Sequence, residues 1–222
     1  MIKAVIFDFD YTLGDSTNGI VLSANYALEK MGHRICSTDM IKKTIGLSLK
    51  DTYVELTNDY NLDNAEEFRR LFVEMADKEM VDNTVLYDGV KGILKALKAN
   101  GIKVGIVTTK FGYRIEAILK KFDATELVDL IIGSDNVKVE KPNPEGLLMA
   151  VERLKLEKDE LIYIGDSIVD AKTAVNAGVP FAGVLTGTTT REEFMQYANV
   201  CIGNSVAEVI EARRIINEQG NI

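Results

Sequence analysis

Apolar positions along this chain switch between two periods. Val90, Ile93, Leu94 and Leu97 recur at helical spacing, and Asn100-Gly101 closes that helix before residues 103–108, a short buried strand. Ile115, Ile118, Leu119 and Phe122 mark the next helix, residues 128–132 the next strand, and Leu147, Leu148, Val151 and Leu154 the helix after it. Residues 161–165 form a further strand. A helix through Ala171, Ala174 and Val175 leads to a strand at 181–185, residues 199–202 suit an edge strand, and the capping box Ser205-x-x-Glu208 opens a last helix. Pro144 is expected at the first helical position behind Asn143. Strict alternation of strand and helix predicts an α/β fold, a parallel sheet with helices on both faces. Such sheets place ligands at the carboxyl ends of their strands.

Residues 16–81 break the rhythm. Ile20, Ala24, Ala27, Leu28 and Met31 form one helical stripe and Phe68, Leu71, Phe72 and Met75 another, with no convincing strand between them. The segment reads as a helical insert, and the first strand, residues 2–7, joins the same sheet as everything after residue 82. The expected architecture is a Rossmann-like three-layer core, residues 1–15 and 82–222, with a small α-helical domain, residues 16–81, inserted after the first strand through linkers at 15–18 and 81–88.

The 222 residues are 46% hydrophobic, enough for a core without staples. Cys36 and Cys201 lack metal-ligand or Cys-x-x-Cys spacing and read as small hydrophobes in a reducing compartment. No run of 18 apolar residues is present, and Met1 leads directly into a strand, so a cytoplasmic protein away from membranes is expected. A net charge of −8 leaves no excess of Lys or Arg to displace counterions from nucleic acid. Partners are expected to be small.

Chemistry gathers where the strands end. Asp8-Phe9-Asp10-Tyr11-Thr12 follows the first, Thr108-Thr109-Lys110 the second, Gly165-Asp166 with Asp170 the fourth, and Lys141, stiffened by Pro142 and Pro144, lies in the loop after the third. Each alone could be a helix cap or a solvated loop residue; four loops agreeing point to one site. Bare carboxylates at ~4 Å repel by about 4 kcal/mol per pair at an effective dielectric of about 20, so Asp8, Asp10, Asp166 and Asp170 require a cation. With a single histidine, His33, in the insert and reading as an ordinary surface residue, oxygen-only ligands suit Mg²⁺.

Asp8-x-Asp10-x-Thr12-Leu13-x-Asp15-Ser16, Thr108-Thr109-Lys110, Lys141-Pro142 and Gly165-Asp166-x-x-x-Asp170 with Ala174 and Gly178 resemble, in order, the four motifs of the haloacid dehalogenase superfamily. The insert resembles the cap of its phosphoglycolate phosphatase and beta-phosphoglucomutase branch. The resemblance implies that Asp8 attacks phosphorus and Asp10 serves as acid and then base. It implies that Asp8, the Asp10 carbonyl and Asp166 hold Mg²⁺, that Thr108, Thr109 and Lys141 bind the phosphoryl oxygens, and that Asp170 orients the metal shell or Lys141. The implied activity is a magnesium-dependent phosphatase acting through an aspartyl-phosphate on a small phosphorylated metabolite, with phosphoglycolate as the candidate substrate. Asp10 separates this chain from true dehalogenases, which lack that carboxylate. Tyr11 departs from the glycine usual in relatives. The mutases carry an arginine where this chain has Leu49, which weakens the phosphomutase alternative, and Lys42, Lys43 and Lys50 in the insert are the candidates for a second anionic group on the substrate. A phosphorylatable receiver module, the non-enzyme alternative, is shorter, lacks an insert and carries its aspartate elsewhere in the strand order.

Overall fold

The computed structural model describes residues 1–198, 201–213 and 215. It divides into two compact units, Met1–Gly14 with Leu86–Ile222, and Asp15–Val85. The chain passes between them through the two-residue strands β2 (Gly14–Asp15) and β3 (Val85–Leu86).

The first unit is a six-stranded sheet in the order β5-β4-β1-β6-β7-β8. Its strands are β1 (Ala4–Phe7), β4 (Lys103–Val107), β5 (Leu130–Ile132), β6 (Leu161–Gly165), β7 (Phe181–Val184) and β8 (Cys201–Gly203), and every neighbouring pair is parallel. β1 is apolar at every position, the signature of a strand covered on both faces, and it sits between β4 and β6. Side chains alternate across it. Ala4 and Ile6 share a buried cluster with Val107, Tyr163 and Phe181 against Leu147 and Ala150 of helix α7 (Glu145–Leu154) and Ala171 and Ala174 of α8 (Ile168–Ala177). Val5, Phe7, Val104, Ile106, Ile162 and Ile164 point the other way and are equally buried. Helices α5 (Val90–Ala99), α6 (Gly112–Lys121), α9 (Arg191–Phe194) and α10 (Val206–Ala212) complete the three layers.

The alternating pattern thus predicts the fold, and the differences are local. β5 starts at Leu130 because residues Thr125–Leu127 form a 3₁₀ turn. Pro144 caps α7 and the helix begins at Glu145, whose N–H donates to Asn143 Oδ1 at 3.0 Å; the asparagine side chain takes that N–H and leaves proline one place outside. Only half of the Ser205 box forms: Ser205 Oγ accepts from Glu208 N, while the Glu208 carboxylate turns to Asn204 N at 2.8 Å. Of the expected edge strand at 199–202, Asn199 and Val200 lie outside the described residues.

The second unit is helical. Its α1 (Thr17–Lys30) and α4 (Leu62–Glu79) bury the two stripes read from sequence, with Ala24, Ala27 and Leu28 in one core with Phe68, Phe72 and Ala76. Two further helices, α2 (Thr38–Lys42) and α3 (Leu49–Thr57), escape periodicity because they are short and bury only Ile41, and Thr52 with Tyr53. Serine caps announce them: Ser37 Oγ accepts from Met40 N and Ser48 Oγ from Asp51 N. His33 is not an ordinary surface residue. It is half-buried, with Nε2 3.1 Å from the Tyr53 hydroxyl, which donates to Asp59 at 2.7 Å.

Candidate active site

The site lies at the carboxyl edge of the sheet. β1 continues in hydrogen bonding one residue past its end, as Asp8 N donates to Ile164 O at 2.9 Å, so the Asp8 carboxyl is set by the centre of the sheet. The chain then folds back tightly. Phe9 O accepts from Thr12, Leu13 and Gly14 N, and Tyr11 N donates to Gly14 O. Tyr11 takes φ 58°, the left-handed region, which explains why glycine is at home there and costs an L-residue roughly 1–2 kcal/mol. Tyr11 is buried, and its carbonyl accepts from Thr186 Oγ1 in the loop after β7. Sequence reasoning passed over that loop, since a threonine-rich stretch carries no charge to signal a role.

Lys141 is the hub. Its ammonium is 3.0 Å from Asp8 Oδ1, 2.6 Å from Asp170 Oδ1 and 3.0 Å from the Tyr163 hydroxyl, all buried. The contact with Asp8 is an ion pair whose angles fall outside a hydrogen bond, leaving Asp8 Oδ1 without a hydrogen-bond partner. Burial opposes the lysine's charge, yet Asp170 and Asp8 overcome it and hold the ammonium above its ordinary range. Tyr163 also stands 3.0 Å from Val107 O and 2.8 Å from Asp170 Oδ1. It was missed because it reads as one apolar position of a core strand. Asp170 Oδ2 accepts from Ser167 N and Oγ, the capping box of α8, so both its oxygens are engaged.

Asp10 is handled separately. Lys110, 7% exposed, places its ammonium 3.0 Å from Asp10 Oδ2, while Asp10 Oδ1 is buried without a hydrogen-bond partner. The sequence marks Lys110 only as part of a motif. Thr108 is buried and its hydroxyl accepts from Lys110 N at 3.3 Å; Thr109 is half-buried. Lys42, Lys43 and Lys50 lie in the helical unit, at the end of α2 and the start of α3, and have no ion-pair partner among the described residues.

Asp8, Asp166 and Asp170 each offer a carboxylate oxygen within 4.8 Å of the others. Burial first, partly offset by Lys141 and reinforced by Asp170 and Asp10, raises Asp8 to about 6. Burial, then Asp170 and Asp8, raises Asp166 well above the usual carboxylate range, and Thr12 Oγ1 donates to its Oδ1 at 3.3 Å. Three acids crowded against their charge, with Asp8 Oδ1 held by the Lys141 ion pair and by no hydrogen bond, fit a hard divalent cation with oxygen ligands. Because both Asp170 oxygens are engaged by Lys141, Tyr163 and Ser167, Asp8 and Asp166 are the carboxylates of this cluster best able to take a cation.

Gly187, next to Thr186, presses its backbone on Asp166. A Cβ built there overlaps Asp166 Oδ2. Gly187→Ala is therefore expected to displace the carboxylate and, with Asp166 in the role of a Mg²⁺ ligand, to weaken Mg²⁺ binding by roughly 10–100-fold, the range for disturbing a ligand's support. Calorimetric titration with Mg²⁺ checks this, and unchanged affinity would show that the loop yields freely.

Residues 5–184 match the model of a family described as haloacid dehalogenase-like hydrolase. A phosphoglycolate phosphatase of Yersinia pestis is 29% identical over 216 residues, covering 95% of this chain and 93% of that protein. The pyrophosphatase PpaX of Listeria monocytogenes serotype 4a is 32% identical over 197 residues, 88% of this chain and 89% of its own. A solved Bacteroides fragilis structure, classed with the haloacid dehalogenase-like hydrolases, superposes with a TM-score of 0.91 at 42% identity, covering 95% of this chain and all of its own.

Proposed function

The chain belongs to the haloacid dehalogenase-like hydrolase family and is a phosphatase, and from that premise we propose that it hydrolyses a small phosphomonoester through a phosphorylated Asp8. The observation that carries this reading is the separation of two carboxylates only two residues apart. Asp8 faces Lys141, while Asp10 faces Lys110. Neighbouring acids in different surroundings can take different roles.

In the first step an Asp8 oxygen attacks phosphorus, the bond from phosphorus to the ester oxygen breaks, and Asp10 gives its proton to that oxygen. In the second, Asp10 takes a proton from water as the water oxygen attacks phosphorus, the bond to Asp8 breaks, and phosphate leaves. Lys141, Thr108 and Thr109 hold the phosphoryl oxygens, and Asp170 with Tyr163 holds Lys141. Asp8, the Asp10 carbonyl and Asp166 would hold Mg²⁺, which would supply positive charge to offset that of the reacting phosphate. The substrates in the names of the relatives, phosphoglycolate and pyrophosphate, are the first to try.

Residues 16–81 are read as the substrate-selecting cap of a catalytic core formed by residues 1–15 and 82–222, with Lys42, Lys43 and Lys50 as its candidate anion-binding residues. Leu49, at the mutases' arginine position, packs against the helical unit's own core, which favours phosphatase over phosphomutase. Cys36 and Cys201 are both free, which suits a cytoplasmic setting.

Asp10→Asn tests the mechanism. With p-nitrophenyl phosphate, whose leaving group needs no proton, Asp8 should still be phosphorylated while water attack slows by roughly 10²–10⁴-fold, the range for losing a general base. Mass spectrometry after an acid quench should find one phosphoryl group on Asp8. Equal steady-state rates for the variant and the wild type would remove Asp10 from the role.

A further inference from the structure

The buried Lys110 ammonium has one carboxylate partner, Asp10, and no other side-chain partner among the described residues. An ammonium carries three N–H donors, so at least two are open to a ligand. Its partner Asp10 also keeps a buried oxygen, Oδ1, with neither a hydrogen-bond nor an ion-pair partner among the described residues. A cation and a carboxylate left short of partners side by side mark where a ligand completes the bonding. Lys141 is different in kind. Asp8, Asp170 and Tyr163 surround it, so it is committed to the nucleophile's side.

Under the reading given above, Asp10 faces the leaving oxygen of the ester. On that reading, a cation 3.0 Å from Asp10 lies on the leaving-group side of phosphorus. We infer that Lys110 is a specificity residue that binds an anionic group carried by the leaving group, so that the substrates are esters or anhydrides whose leaving portion bears a carboxylate or a second phosphate. This rests on the phosphatase reading and adds to it the charge of the half of the substrate that departs. A neutral leaving group would leave the Lys110 donors desolvated and unpaired, which is the condition under which a polar site discriminates most strongly.

The experiment compares kcat/KM for phosphoglycolate and for 2-hydroxyethyl phosphate, which has the same heavy-atom skeleton apart from one carboxylate oxygen and no charge on its leaving group. Pyrophosphate is a second anionic case and p-nitrophenyl phosphate the check on basal activity. The wild type should favour the anionic substrates by on the order of 30-fold or more, the factor expected from a buried charge pair. Lys110→Met should bring that ratio to near one, and Lys110→Arg should retain much of it. If p-nitrophenyl phosphate is hydrolysed but the wild type shows no preference for anionic leaving groups, the inference is overturned while the phosphatase reading stands. If Lys110→Met slows all esters alike, Lys110 acts only on Asp10. If that variant keeps the preference, the role passes to Lys42, Lys43 and Lys50. If no phosphate ester or anhydride is hydrolysed, the reading beneath the inference falls with it.

Discussion

Asp8→Asn should abolish turnover while leaving the protein folded. The side chain keeps its shape but loses the charge that attacks phosphorus in the proposed mechanism, and a loss of roughly 10⁴-fold or more in kcat is the scale for removing a nucleophile from a cooperating set. The structure adds a second expectation. Asp8 is pressed from several sides, by burial and by Asp170 and Asp10, and only Lys141 relieves it. Neutralising it removes repulsion, so the metal-free variant should be at least as stable to heat as the wild type above about pH 6. Thermal melts and turnover measured on one preparation check both halves. A variant that is inactive because it has unfolded, or one that turns over normally, would each contradict the assignment.

Chelation should be nearly as drastic. Excess EDTA is expected to eliminate hydrolysis and added Mg²⁺ to restore it, because burial and their acidic neighbours disfavour the ionised forms of Asp8 and Asp166, which a divalent cation would favour. The pH dependence follows in sign. Folding raises Asp8 from 3.8 to about 6, so across that window the folded chain holds a proton that the unfolded chain has released, and metal-free stability falls as pH rises. The shift corresponds to about 3 kcal/mol at full extent. Asp166, also raised by burial and its acidic neighbours, contributes a fall of the same sign. Mg²⁺ bound as proposed would favour the ionised carboxylates, so its stabilising effect should be small at about pH 4.5 and large at about pH 8. Melts with Mg²⁺ or EDTA at those two values measure it. A Mg²⁺ effect independent of pH, or full activity in EDTA, would separate the metal from these acids.

Much of this site is legible in the sequence because charge at strand ends is rare and its spacing repeats the strand order. Asp8, Asp10 and Asp166 closely follow a buried apolar run, Lys141 and Asp170 lie farther on in the loop or helix after one, and parallel pairing brings the ends of those strands to one edge. What stays hidden lacks charge or periodicity. Tyr163 reads as core, and its hydroxyl matters only because β6 lies beside β1, at the register Ile6↔Tyr163. Thr186 and Gly187 are small and neutral, and their importance comes from where β7 delivers them. The pairing of Lys110 with Asp10 depends on side-chain directions past two strand ends, which no periodicity records. α2 and α3 are too short for a stripe to rise above chance, although their serine caps are visible on inspection.

The place of β1 in the sheet also bears on how the molecule is assembled. The strand made first becomes the centre, with Ala4 paired to Lys103 on one side and to Leu161 on the other. During synthesis it must wait, apolar and unpaired, until most of the chain has emerged, whereas Asp15–Val85 is continuous and carries its own core. The helical unit can therefore form while β1 is still an exposed strand. A nascent chain arrested before Leu161 would hold a finished helical unit beside an open apolar edge, a template for aggregation that closes only when β6 arrives.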